Sequence, residues 1–157
     1  MRTMVAIDYF YHDDVRNILV AGDRGLVYLS DCSTDDLLTV LCESHGRSVN
    51  GSMELFAKIN QAHQKLAVLV NPASQEIYFP THASSNKACI WLNCGRIQRV
   101  EAVEKSHCMI TFSDGSTFKV LCSSRVVVRQ MKRCNKLLNS LCNPYDQINE
   151  LFVQARG

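Results

Sequence analysis

Proline and glycine are scarce, three and seven in 157 residues. That scarcity excludes a collagen-like repeat, a proline-rich spacer or a low-complexity linker. Apolar runs are short. The longest aliphatic stretch, Leu66–Val70, falls far below the roughly 20 residues a bilayer-spanning helix needs. Met1–Asp8 lacks the long apolar stretch of a secretory signal, so the chain is expected to stay in a reducing, cytoplasmic compartment. Also missing are a G-x-x-x-x-G-K-[ST] phosphate loop, a G-x-S-x-G elbow and an H-E-x-x-H pair. No enzyme class is therefore marked, and no cofactor is expected.

Cysteine is plentiful at eight residues, but no C-x-x-C pair occurs. Scattered thiols in a reduced compartment are expected to act as small buried hydrophobes. Cys89-x₄-Cys94 and His107-Cys108 could meet in a zinc or thiol site, an alternative that the spacing disfavours. Asp13-Asp14 and Asp35-Asp36 are adjacent carboxylates that point apart on a strand or helix, so they make poor acid/base pairs.

What is present is a core and a charge asymmetry. Hydrophobic residues make up 46% of the chain, enough for one domain spanning 1–157. Residues 1–54 carry four basic and nine acidic residues, a net −5, whereas residues 96–136 carry nine basic and three acidic, a net +6. A basic back half suggests a surface for a polyanion.

The local patterns predict an α+β fold: an antiparallel, strand-rich core with a packed basic amphipathic helix near the C-terminus. Short β-like runs fall at Met4–Ile7, Asn17–Val20, Leu26–Ser30, Leu66–Val70, Glu76–Phe79, Cys89–Asn93 and Ile97–Val103. Ser33-Thr34-Asp35-Asp36 reads as a helix start, and Met53–Asn60 as another short helix. Around Ser113-Asp114-Gly115, a three-residue loop with Gly115 at a left-handed bulge pairs Ile110 with Phe118 and Cys108 with Val120. That register gathers the apolar residues on one face, Phe118 included.

A helix capped by Ser123 or Ser124 follows. On it Arg125, Arg129, Lys132, Arg133 and Lys136 fall within about 100° of arc, with Val127, Met131, Cys134, Leu138 and Leu141 opposite. Five cations on one face, unrelieved by any acid, repel one another at i,i+4 spacing, which favours a polyanionic partner. Arg96 and Arg99, near a strand start, are secondary candidates. A protein-interaction or membrane-surface module using the same helix is the alternative; apolar residues on the outward face would favour it, and none is expected there. A further short helix is expected at Tyr145–Val153.

Asn71-Pro72-Ala73-Ser74-Gln75-Glu76-Ile77-Tyr78-Phe79-Pro80-Thr81, followed by Ser84 and Cys89-Ile90-Trp91, resembles the central signature of the ComK family of bacterial competence transcription factors. Phe112-Ser113-Asp114-Gly115 is similar to that family's hairpin, and Ser124, Gln130 and Arg133 fall where the family places similar residues. The resemblance runs from about Gly46-Arg47 to Leu138. It implies binding to double-stranded, AT-rich promoter DNA through the minor groove, action as a multimer, activation of DNA-uptake genes, RNA polymerase as a further partner, and residence on the bacterial nucleoid when DNA-bound. The better-known members run further beyond the basic helix than this chain does, so a DNA-binding paralogue with reduced activating power is also an expectation.

Overall fold

The computed structural model describes residues 4–13 and 17–141, together with Ile148 and Leu151. The helix expected at Tyr145–Val153 lies, apart from those two residues, outside the described region.

Among the described residues the elements follow in the order β1 (Ile7–His12), β2 (Ile18–Gly22), β3 (Gly25–Leu29), α1 (Thr34–Glu43), α2 (Val49–Asn60), β4 (Val68–Asn71), β5 (Glu76–Pro80), β6 (Ile90–Asn93), β7 (Ile97–Glu104), β8 (His107–Phe112), β9 (Thr117–Val120) and α3 (Ser124–Ser140). A 3₁₀ turn at Cys94–Arg96 leads into β7. The strands form two antiparallel sheets, one of six strands ordered β3-β2-β1-β6-β5-β4 and one of three ordered β7-β8-β9. This is the α+β architecture read from the sequence.

Apart from its exposed edge strand β3, the larger sheet is buried on both faces, because its apolar residues alternate between two cores. Phe10, Val20, Val68, Tyr78 and Trp91 face one side, covered by Leu38 and Cys42 of α1. Tyr9, Leu19, Leu69, Phe79 and Leu92 face the other. There they meet Cys108, Ile110, Phe112 and Val120 of the second sheet, and Val127, Cys134 and Leu137 of α3. Helix α2 wraps the β4 side and feeds both cores, Phe56 into the second and Met53 against the first.

The hairpin takes the bulged register: Cys108 pairs with Val120 and Ile110 with Phe118, while the Phe112 N–H donates to the Ser116 carbonyl at 2.8 Å. Gly115 holds φ +87°, a conformation that disfavours any side chain. Phe118 is half-buried rather than fully enclosed, and its ring stacks on Tyr9 with centroids 4.0 Å apart. Helix α1 starts at a full capping box: Ser33 Oγ accepts from Asp36 N–H and Asp36 Oδ2 accepts from Ser33 N–H.

Two elements depart from the expected bounds. The strand expected at Met4–Ile7 is displaced to Ile7–His12, because the Val5 and Ala6 N–H groups donate to Asp23 Oδ1 in the β2–β3 turn instead of to a neighbouring strand. Helix α2 begins at Val49, not Met53. Ser48 caps it by accepting from Gly51 N–H, and this outweighs the poor helix formers Asn50 and Gly51.

Candidate nucleic-acid interface

Helix α3 has 17 residues, so it is about 25 Å long. Ser123 caps it, its side chain accepting from Val126 N–H at 3.3 Å. Val127, Cys134, Leu137 and Leu138 bury its inner side. Two polar links fix its position. Asn60 of α2 donates to the Arg133 carbonyl at 3.1 Å. Gln130, only 1% exposed, donates through Nε2 to the Lys65 carbonyl at 2.9 Å and the Pro80 carbonyl at 3.3 Å. A buried amide left without partners is costly, so Gln130 ties the helix to the α2–β4 loop and to the end of β5, at one end of the larger sheet.

The outer side holds Arg125, Arg129, Lys132 and Lys136, all exposed. Among the described residues none of the four has an ion-pair partner. Arg133 differs: it is half-buried, and its Nη1 donates to Gln130 Oε1 at 3.5 Å. It sits at the rim of the face and leans towards the Gln130 side.

This arrangement is not one that helix stability selects. No acid occupies the first turn, and Arg125 stands there instead, at the end where the helix dipole favours negative charge. The i,i+4 pairs Arg125/Arg129, Arg129/Arg133 and Lys132/Lys136 each cost a few tenths of a kcal/mol. An external anion relieves both penalties. The outward side is not wholly free of apolar residues, as the sequence suggested: Val128 is 38% exposed, and Leu121, just before the helix, is 55% exposed.

Arg96 and Arg99 stand apart from this face. Arg96 Nε donates to Asp8 Oδ1 at 2.8 Å, an ion pair joining the 3₁₀ turn to β1 across 88 positions of sequence. Burial raises the Asp8 pKa more than the Arg96 guanidinium lowers it, while the hydrogen bond from Arg96 holds the arginine more firmly protonated. Arg96 is thus committed inside the molecule. Arg99 is exposed on β7 and pairs with Glu101 at 2.6 Å.

Cys89, Cys94 and Cys108 do not gather into one site; the close thiol pairs are Cys94 with Cys134 and Cys108 with Cys122. Cys89 lies in the core under α1, while Cys94 and Cys108 lie in the other, on opposite faces of the sheet. Burial pushes Cys89, Cys108 and Cys134 up, and Cys122 up to about 12, the reverse of an activated nucleophile. Cys94 is the exception, lowered by a hydrogen bond from buried Cys134. No cluster of three or more metal-ligating side chains occurs among the described residues.

A family model described as ComK protein matches residues 2–143. The chain belongs to the ComK family. The match reaches well before Gly46, where the sequence motifs alone are faint. The Competence transcription factor of Bacillus subtilis (strain 168) is 26% identical over 92 residues, covering 59% of this chain and 48% of that protein. The chain thus spans about half the length of that relative. No solved structure matches it. No helix among the described residues is long and apolar enough to cross a membrane.

Proposed function

We propose that this ComK-family chain is a single-domain, non-enzymatic regulator of transcription that binds double-stranded DNA through the outer face of α3. The observation that carries the reading is the row Arg125, Arg129, Lys132 and Lys136: four exposed cations on one packed, capped helix, without ion-pair partners among the described residues. Such a row suits contacts to backbone phosphates, which give affinity without reading sequence.

The finer reading extends what the relative's name says. The DNA is AT-rich promoter duplex, with one arginine of the row entering a narrow minor groove where the negative potential is deepest. Its genes are those for competence, its place is the bacterial cytoplasm and nucleoid, and RNA polymerase is a further partner. Self-association finds support in β3, an uncharged and exposed edge strand of the larger sheet, with Leu26 61%, Val27 39% and Tyr28 60% exposed. No lysine, proline or bulge guards it against pairing with another strand.

The test is duplex binding across a salt series, AT-rich against GC-rich, for the wild type and for a variant with Arg125, Arg129, Lys132, Arg133 and Lys136 all changed to Gln. The wild type is expected to bind AT-rich duplex more tightly, with log affinity falling linearly with log salt. A wild type that ignores duplex DNA removes the reading.

A further inference from the structure

A cleft of about 230 Å³ opens at the end of the larger sheet where β4 begins, β5 ends and β6 begins. His63, Gln64 and Lys65 line it from the α2–β4 loop, Pro80 from the end of β5, Ser84 from the β5–β6 loop, and Trp91 of β6 forms part of its wall. Lys65, His63, Gln64 and Ser84 all offer hydrogen-bond donors, and no carboxylate lines the cleft.

The cleft is coupled to the basic helix by direct bonds. Gln130 Nε2 of α3 holds the carbonyls of Lys65 and Pro80, one from each wall. Gln130 Oε1 in turn accepts from Arg133, the one α3 cation that leaves the outer row and leans this way. The apolar Met53, Leu66, Pro80 and Trp91 make up the rest of the lining, so the hollow offers an anion four donors in a largely apolar, carboxylate-free setting, tied through Gln130 to the helix that carries the cations.

We propose that this cleft seats a backbone phosphate of the same DNA that α3 binds, with Lys65 as its principal contact, His63 and Ser84 as supporting donors, and Arg133 bridging it to the helix row. The inference rests on the DNA-binding reading and extends the interface beyond α3.

Lys65 is well suited to a test, because the fold uses its carbonyl and leaves its charge available for the ligand. Lys65→Gln keeps the main-chain clamp and removes the charge; Lys65→Arg keeps both. Trp91 is the sole tryptophan, so its emission reports on the cleft without a label. The full-length chain is titrated with an AT-rich duplex, following binding by gel shift and Trp91 by fluorescence. One lost phosphate contact flattens the salt slope by about 0.9 and weakens binding roughly eightfold at about 0.1 M salt. Lys65→Gln is expected to show both changes with an unaltered melting temperature. Lys65→Arg restores affinity, and the Trp91 emission change seen with wild type shrinks in Lys65→Gln. An unchanged slope in Lys65→Gln, with binding still lost in the fivefold α3 variant, overturns the cleft and leaves the helix reading standing. A wild type that binds no duplex overturns both.

Discussion

Arg96 and Arg129 carry the same side chain into opposite circumstances. Arg96 reaches back to β1 and neutralises the buried carboxylate of Asp8, so its charge is used up in holding the first strand to the 3₁₀ turn. Arg129 stands on a helix whose neighbours are other cations, and its charge does nothing for the fold. Charge count alone does not separate the two, since both lie in the basic back half of the sequence. What separates them is whether a counter-charge exists inside the protein. The first is a structural staple; the second is the proposed contact.

That difference is sharpest when each is removed. Arg96→Ala leaves Asp8 buried without its cation, and loss of one partner from a buried pair costs about 3 kcal/mol. The deficit should depend on pH. Asp8 already has a raised folded-state pKa, and loss of Arg96 raises it further. Relative to wild type the penalty is therefore full above the variant's folded pKa and disappears as pH falls below the wild-type folded pKa, itself above the ordinary aspartate value of 3.8. Urea unfolding between pH 3.5 and 7 checks this, with the gap to wild type widening as pH rises. The DNA salt slope of the variant, measured where it is folded, should match wild type; a flatter slope would return Arg96 to the interface.

Gln130→Ala comes next. It strands the Lys65 and Pro80 carbonyls and frees Arg133, for an expected loss of about 2 kcal/mol in stability. Urea unfolding reads this, and a loss below about 0.5 kcal/mol, the range of an ordinary surface substitution, would mean the clamp carries little. Ser123→Ala removes the α3 cap and should lower stability by about 1 kcal/mol. Thermal unfolding would report it, and an unchanged midpoint would show that the cap hydrogen bond is replaced by solvent.

The smallest effect on folding belongs to the row itself. Lys136→Gln should leave stability within about 0.5 kcal/mol of wild type, and slightly on the favourable side, because it relieves repulsion with Lys132. If Lys136 contacts a phosphate, the same change flattens the salt slope by about 0.9. A stability loss comparable to that of Arg96→Ala would erase the distinction between staple and contact.

Local features of this fold could be read from residues alone. The Ser33 box, the Asp114-Gly115 hairpin and the two sides of α3 each depend on neighbours within a turn or a hairpin, so spacing suffices to place them. The pairing of Phe118 with Ile110 was legible because a one-residue slip would send every apolar side chain to solvent. Features depending on distant partners were not. The first strand was misplaced because Asp23 draws off the Val5 and Ala6 amides, and because a buried Asp8 makes sense only once Arg96 arrives from far along the chain. For the same reason Arg96 read as a candidate contact. The cleft around Lys65 gave no signal at all, since its walls come from elements far apart in sequence and its coupling to α3 passes through one buried amide.

The central claim is that the outer row of α3 is functional charge with no structural task. It is tested most directly by the salt dependence of AT-rich duplex binding in the fivefold variant, with Arg125, Arg129, Lys132, Arg133 and Lys136 changed to Gln. If three of the five touch phosphate, the variant should remain folded while its slope flattens by roughly 2.7 and its affinity collapses towards background. A folded variant with the wild-type slope and affinity would contradict the claim and make the row an ordinary solvated face.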